Sequence, residues 1–195
     1  MVIYPPASPD LFTVSMFTIK WYGFLITLAV VGSYLLILKE VKKQKIDESK
    51  LDSVFLITIL LGVIGARLGY VLQNMSDFFS QPLAIIKVWD GGLSIHGAII
   101  LGATGLYLAS RRYKINFLNL ANIFAPFLMI SGAIGRWGNY FNQEIIGKPS
   151  AAVIRLYVSE SNRPVGYEEN QYFHPVFLYE SVLLALGFAV YLIFK

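Results

Sequence analysis

The sequence contains no cysteine among its 195 residues. Disulfides, thiolate-held metals and a cysteine nucleophile of its own are therefore excluded. Charge is also scarce: 14% of the residues are Asp, Glu, Lys or Arg, against about a quarter in soluble domains. What fills the chain instead is apolar, at 56%, with a mean hydropathy of +0.60. That is too much for one globular core of this size, and it excludes a disordered chain. The composition points to an integral membrane protein. The net charge of +4 arises from 16 Lys and Arg against 12 Asp and Glu. Cytoplasmic loops explain such a balance better than nucleic-acid binding does.

A bilayer core of about 30 Å needs roughly 20 helical residues to cross it. Charge-poor stretches predict five helices, at about 16–38, 53–73, 91–110, 116–135 and 175–194. The expected fold class is an all-α polytopic membrane protein, with residues 1–195 as one membrane domain. The first loop carries Lys39, Lys42, Lys43, Lys45 and Lys50, and the third carries Arg111, Arg112 and Lys114. The second has Asp77, Lys87 and Asp90, and the long fourth, 136–174, is balanced in charge. Lys and Arg excess marks the cytoplasm. Loops one and three are then inside, the N-terminus is outside and the C-terminus is cytoplasmic. Residues 1–15 hold Pro5, Pro6 and Pro9 and no basic cluster, so the first span reads as a retained anchor.

Small residues recur at helical spacing. Gly62, Ala66 and Gly69 share a face of the second helix, Ser94, Ala98 and Gly102 a face of the third, and Ser131 and Gly135 lie four apart in the fourth. Such faces let helices approach closely in lipid. Pro126, within the fourth helix, removes a backbone donor and predicts a kink.

Ionisable residues at membrane depth are rare because desolvating them is costly. The candidates are Arg67, His96, Arg136, Glu144, His174 and Glu180, in the polar company of Tyr22, Tyr70, Asn74, Asn139 and Asn142. His96 follows a Gly-Gly entry and is flanked by Gly97. It reads either as an interfacial histidine bonded to a carbonyl or as a general base. Ser94 is no nucleophile for it, because residues two apart on a helix point roughly 200° apart. The densest cluster runs from Gly135 through Arg136, Asn139, Asn142, Gln143 and Glu144 to Gly147. Snorkelling to headgroups accounts for an arginine at a helix end, but not for the amides and the acid beside it. A guanidinium binds phosphate through its planar fork, so this segment reads as a site for an anionic lipid headgroup. Glu180, one turn into the fifth helix after His174 and Pro175, calls for a cationic partner such as Arg67 or Arg136. A purely structural pair is the equal alternative.

These motifs together resemble the prolipoprotein diacylglyceryl transferase family. The run from Gly135 to Gly147 is similar to its signature. Trp89-Asp90-Gly91-Gly92-Leu93-Ser94-Ile95-His96-Gly97 resembles its histidine motif. Trp21-Tyr22-Gly23, Gly65-Ala66-Arg67-Leu68-Gly69-Tyr70 and His174-Pro175-Val176-Phe177-Leu178-Tyr179-Glu180 resemble its first-helix, second-helix and late motifs, all in family order. The resemblance implies transfer of the diacylglyceryl group of phosphatidylglycerol to the lipobox cysteine of a prolipoprotein. The products are a thioether and glycerol phosphate. It implies no metal or organic cofactor, and a place in the bacterial cytoplasmic membrane with the site near the extracytoplasmic face. Membrane lipids and lipobox prolipoproteins are the implied partners.

Carried onto this sequence, the resemblance gives His96, Arg136, Glu144 and Tyr22 catalytic roles. It gives Arg136, Asn139, Asn142, Gly147, Arg67 and Tyr70 to phosphatidylglycerol binding, and His174, Tyr179 and Glu180 to support. The family carries two further helices and another arginine after its late motif. The sequence ends at Lys195 without them, which implies a chain lacking the last two helices. The competing readings are a truncated or inactive relative and, more distantly, a membrane transporter with intramembrane charges.

Overall fold

Asp10–Val14 and Phe17–Lys20 do not join the first helix. In the computed structural model, which describes residues 1–6, 8–15, 17–79, 81–88 and 91–195, they pair as an antiparallel hairpin. Its strands are β2 (Asp10–Val14) and β3 (Phe17–Lys20). Met16, at the expected start of that helix, and Trp89 and Asp90, at the head of the histidine motif, lie outside the described residues. Among the described residues, five long helices follow the hairpin: α1 (Trp21–Lys43), α2 (Leu51–Gln73), α4 (Ile95–Tyr113), α5 (Phe117–Asn142) and α6 (Val176–Phe194). A short helix, α3 (Met75–Phe79), lies between α2 and α4. Among the described residues, α1, α2, α5 and α6 are long and apolar enough to cross a membrane. The third expected span, α4, falls short of that measure: Arg111 and Arg112 occupy its last turn.

Three boundaries move for identifiable reasons. Helix α1 runs five residues past its expected end at 38, so that Lys42 and Lys43 sit in its last turn. There their charges favour the helix C-terminus. Helix α4 starts at Ile95 and not at 91, because Gly91 and Gly92 adopt φ of 87° and 71°, in the left-handed region that a right-handed helix excludes. Helix α5 continues to Asn142 and not 135, which places Arg136, Asn139 and Asn142 on a helix and not in the expected 136–174 loop. Their polar groups find partners in one another and in Glu144 and Glu180, as set out below, so the helix needs no break. Pro126 lies within α5, which is helical from Phe117 to Asn142.

The chain forms two compact units, residues 1–36 with 125–195 and residues 37–124. In the first, β1 (Val2–Ile3) pairs in parallel with β4 (Arg155–Tyr157), which pairs antiparallel with β5 (Tyr172–Phe173). Leu156, Val158, Phe173 and Phe177 form a buried core under this sheet, with Ile3, Tyr140, Ile146 and Leu178 packed against it. The segment between α5 and α6 is thus a small folded element with its own core. A turn at its tip is fixed by the Gly166 N–H, which donates to Glu168 at 2.8 Å. That donation holds the carboxyl below its ordinary pKa.

In the second unit, α2 and α4 pack backbone to backbone. A Cβ on Gly97 would collide with the Gly65 carbonyl oxygen, and one on Gly65 with that of Gly97. Gly69 and Gly62 continue the stripe, facing Ser94 and Gly102. The second-helix face therefore runs through Gly62, Gly65 and Gly69, and the expected Ala66 is buried beside them, its carbonyl accepting from the Ser94 N–H. This contact makes a graded prediction. Gly97→Ala forces backbone apart and should destabilise by about 1–3 kcal/mol. Gly102→Ala, whose Cβ would meet its nearest neighbour at 3.7 Å, should be nearly neutral. Thermal unfolding of both variants in detergent checks the contrast.

Candidate active site

Most residues nominated by the signature converge in the first unit. Arg136 lies near the C-terminal end of α5, with its side chain 30% exposed, and its Nε forms an ion pair with Oε2 of Glu180 on α6. One turn on, Asn139 is buried, and its Oδ1 accepts from Arg136 Nη1 at 3.5 Å. Asn139 Nδ2 donates to Glu144 Oε2 at 3.2 Å, and Asn142 Nδ2 donates to Glu144 Oε1 at 3.1 Å. The result is a continuous chain of polar groups from Glu180 through Arg136 and Asn139 to Glu144 and Asn142. Glu144 can reach back because α5 ends in a tight turn. Gln143 and Ile145 adopt φ of 53° and 54°, and the Glu144 N–H donates to the Asn139 carbonyl at 2.8 Å. Of the two partners the sequence offered for Glu180, the structure selects Arg136.

A cleft of about 270 Å³ opens beside this pair, lined by Arg136, Glu180, Leu183 and Leu184. Charge and aliphatic wall side by side suit an amphiphile, with a polar head at the guanidinium and a chain along the leucines. Five N–H groups give Arg136 donors beyond those used by Glu180 and Asn139.

Tyr22 enters from the first turn of α1. Its ring lies against Gly138, where a Cβ would sit 2.6 Å from Tyr22 Cδ2. Beside it Trp21 stacks on Phe141, with centroids 4.6 Å apart and planes at 12°. Gly138 was not singled out from sequence. Its signal was its place inside the signature, and the reason for a glycine there is the tyrosine ring. Gly138→Ala should displace Tyr22 while leaving the fold intact. The expected loss is on the order of tenfold in turnover, read in a transfer assay with thermal unfolding as the control.

Gly147 and His174 close the site at the α6 end. The Gly147 N–H donates to the His174 carbonyl at 3.3 Å, and a Cβ on Gly147 would come within 2.8 Å of His174 Cβ. His174 Nδ1 lies 3.2 Å from Tyr179 Oη. Gln143, a member of the polar cluster read from sequence, accepts from both the N–H and the hydroxyl of Ser159 at 2.8 Å. It thereby ties the end of α5 to the folded segment beyond it.

The other three nominated residues, Arg67, Tyr70 and His96, belong to the second unit. Arg67 is buried, and it donates to four backbone carbonyls: Ala84 at 2.5 Å, Ile85 at 2.8 Å, Gly91 at 2.6 Å and Gly92 at 2.9 Å. Its guanidinium also lies 5.7 Å from the Tyr70 ring and 5.4 Å from the Phe78 ring. Arg67 thus grips the loop between α3 and α4 with most of its donors, which leaves no free fork for a ligand. Tyr70 packs against Gly92, where a Cβ would fall 2.5 Å from its Cε1. His96 is exposed on the first turn of α4. The start of that helix is pinned by the Ser94 N–H, donating to the Ala66 carbonyl at 2.8 Å, and by Gln73 Nε2, donating to Ser94 Oγ at 2.9 Å.

A family model described as prolipoprotein diacylglyceryl transferase matches residues 9–195. The chain belongs to this family. Among its relatives, the phosphatidylglycerol–prolipoprotein diacylglyceryl transferase of Parasynechococcus marenigrum is 36% identical over 98% of this chain and 69% of its own length. That of Acaryochloris marina is 37% identical over 99% of this chain and 71% of its own length. That of Thermotoga maritima is 38% identical over 90% of this chain and 60% of its own length. In this family member the matched region takes in the whole polar network of the first unit and the Arg67 grip of the second.

Proposed function

We propose that this chain transfers the diacylglyceryl group of phosphatidylglycerol to the lipobox cysteine thiol of prolipoproteins in a bacterial cytoplasmic membrane. The observation that carries the reading is the guanidinium of Arg136, held by an acid and an amide in the lining of a mostly apolar cleft, in a chain matched to the family over residues 9–195. Sulfur forms a bond to the terminal glycerol carbon of the diacylglyceryl unit while that carbon's bond to the phosphate oxygen breaks. The leaving group is glycerol phosphate. A thiol must lose its proton to attack well, and His96 is assigned as the group that receives it. The nucleophile belongs to the substrate, so the chain needs no cysteine of its own.

Negative charge grows on the phosphate as the C–O bond breaks. Arg136 is assigned to stabilise it, since a fixed donor is worth most where charge develops. Glu180 and Asn139 hold the guanidinium in one orientation, and Glu144 orients Asn139 and Asn142. Tyr22 offers a hydroxyl from α1 to the same headgroup. Arg67 and Tyr70 serve this reading as positioning residues, through the loop that leads into His96. Lys- and Arg-rich ends of α1 and α4 then face the cytoplasm, and residues 143–175 face outward.

The test is direct. The purified chain in nanodiscs receives phosphatidylglycerol and a lipobox peptide, and mass spectrometry looks for a diacylglyceryl thioether. Product that disappears in His96→Gln and Arg136→Ala supports the reading. No product from a folded chain would favour an inactive relative.

A further inference from the structure

The hairpin β2–β3 has two unlike faces. In its register Phe12 pairs with Ile19 and Val14 with Phe17, and directly paired residues share a face. These four side chains form one apolar patch, exposed at 49% for Phe12, 62% for Val14, 76% for Phe17 and 42% for Ile19. The opposite face carries Thr13 and Thr18, whose hydroxyls lie 3.1 Å apart. We propose that the apolar face lies in the boundary between headgroups and acyl chains of the bilayer, as an interfacial anchor for the start of α1.

Continuity with the first span argues for lipid as the occupant. Strand β3 ends at Lys20 and α1 begins at Trp21 with no residue between, and the Trp21 N–H donates to the Pro9 carbonyl at 3.0 Å across the base of the hairpin. Helix α1 is long and apolar enough to cross the membrane. The hairpin is therefore tethered at the membrane surface, where an apolar face finds acyl chains within reach. An isolated two-stranded hairpin is marginal in water, and four large apolar side chains on one side of it would add a patch that soluble surfaces avoid. At the interface the same pattern is amphipathic in the right sense. Lys20 and Trp21 at the base are residue types that settle at headgroup level, one by extending its charge outward and the other by its amphipathic ring.

The inference is independent of the transferase reading and needs only the spanning helix. Because the chain has no cysteine, single replacements accept a nitroxide label at one position each. Phe12→Cys, Val14→Cys, Phe17→Cys and Ile19→Cys sample one face, and Thr13→Cys and Thr18→Cys the other. Leu28→Cys, exposed on α1, and Val165→Cys, 94% exposed on the segment between α5 and α6, mark lipid and water. All are surface positions, where substitution seldom unfolds a protein. Collision rates with oxygen and with a water-soluble nickel chelate are measured in nanodiscs. The expected oxygen-to-nickel ratio alternates along the hairpin. It is several-fold higher at 12, 14, 17 and 19 than at 13 and 18, and it approaches the Leu28 value. Ratios equal to that of Val165 at all six positions would overturn the proposal by placing the hairpin in water. Low collision with both reagents at 12, 14, 17 and 19 would overturn it in favour of a protein partner or a second copy.

Discussion

Arg136→Ala should lower thioether formation by about 10²–10³-fold while the chain stays folded. The scale is that of losing one donor aimed at developing charge. The side chain is only 30% exposed and is held at two points, by Glu180 and by Asn139. Its orientation is therefore fixed before substrate arrives. Arg136→Lys keeps the charge and loses the planar fork, so it should recover only part of the rate. Glu180→Gln leaves the guanidinium in place and removes one of its two anchors. Its loss should be smaller than that of Arg136→Ala and should show chiefly in kcat, because the headgroup site remains. Steady-state kinetics with phosphatidylglycerol and a lipobox peptide separate the three. Equal activity in Arg136→Ala and the parent chain would remove Arg136 from the reaction.

Arg67→Ala should cost about 1.5–3 kcal/mol of stability, the scale of hydrogen bonds made by a charged donor. Four carbonyls, from Ala84, Ile85, Gly91 and Gly92, lose their donor together. Lysine offers three donors from one point and cannot span four carbonyls spread over residues 84–92, so Arg67→Lys should rescue little. The check is unfolding in detergent alongside proteolysis of the loop between α3 and α4. A role in binding lipid phosphate makes a different forecast: stability unchanged and KM raised. The two outcomes are separable in one pair of experiments.

Several features were legible from sequence because they depend on local composition. Charge-poor runs of about 20 residues located all five long helices, since a bilayer demands that length whatever the neighbours. The scarcity of charge at membrane depth made Arg136, Glu144 and Glu180 conspicuous. The structure pairs Arg136 directly with Glu180 and links it to Glu144 through Asn139, one of the polar residues named beside them. Family membership was legible too, because five motifs fall in order along one chain.

Other features needed tertiary structure. Whether Glu180 faces Arg67 or Arg136 depends on which helices meet, and spacing within one helix is silent on that. The sequence offers Arg67 for headgroup binding because a guanidinium suits a phosphate and a row of carbonyls equally well, and the structure supplies it with four carbonyls. Only the folded loop, with Gly91 and Gly92 at positive φ, turns those carbonyls toward it. The end of α5 was misplaced by seven residues because polar side chains look like a loop until their partners are known. Gly138 and Gly97 are marked in the sequence only by their places inside two motifs, not by a reason for glycine. The ring of Tyr22 and the backbone of Gly65 decide why no side chain fits there. Composition and charge-poor runs were enough to make this an all-α polytopic membrane protein and to name the rare polar groups it carries at membrane depth. The tertiary structure decided which of those groups bind one another and which remain to meet a ligand, because hydrogen bonds and ion pairs act over about 3 Å between residues far apart in the chain.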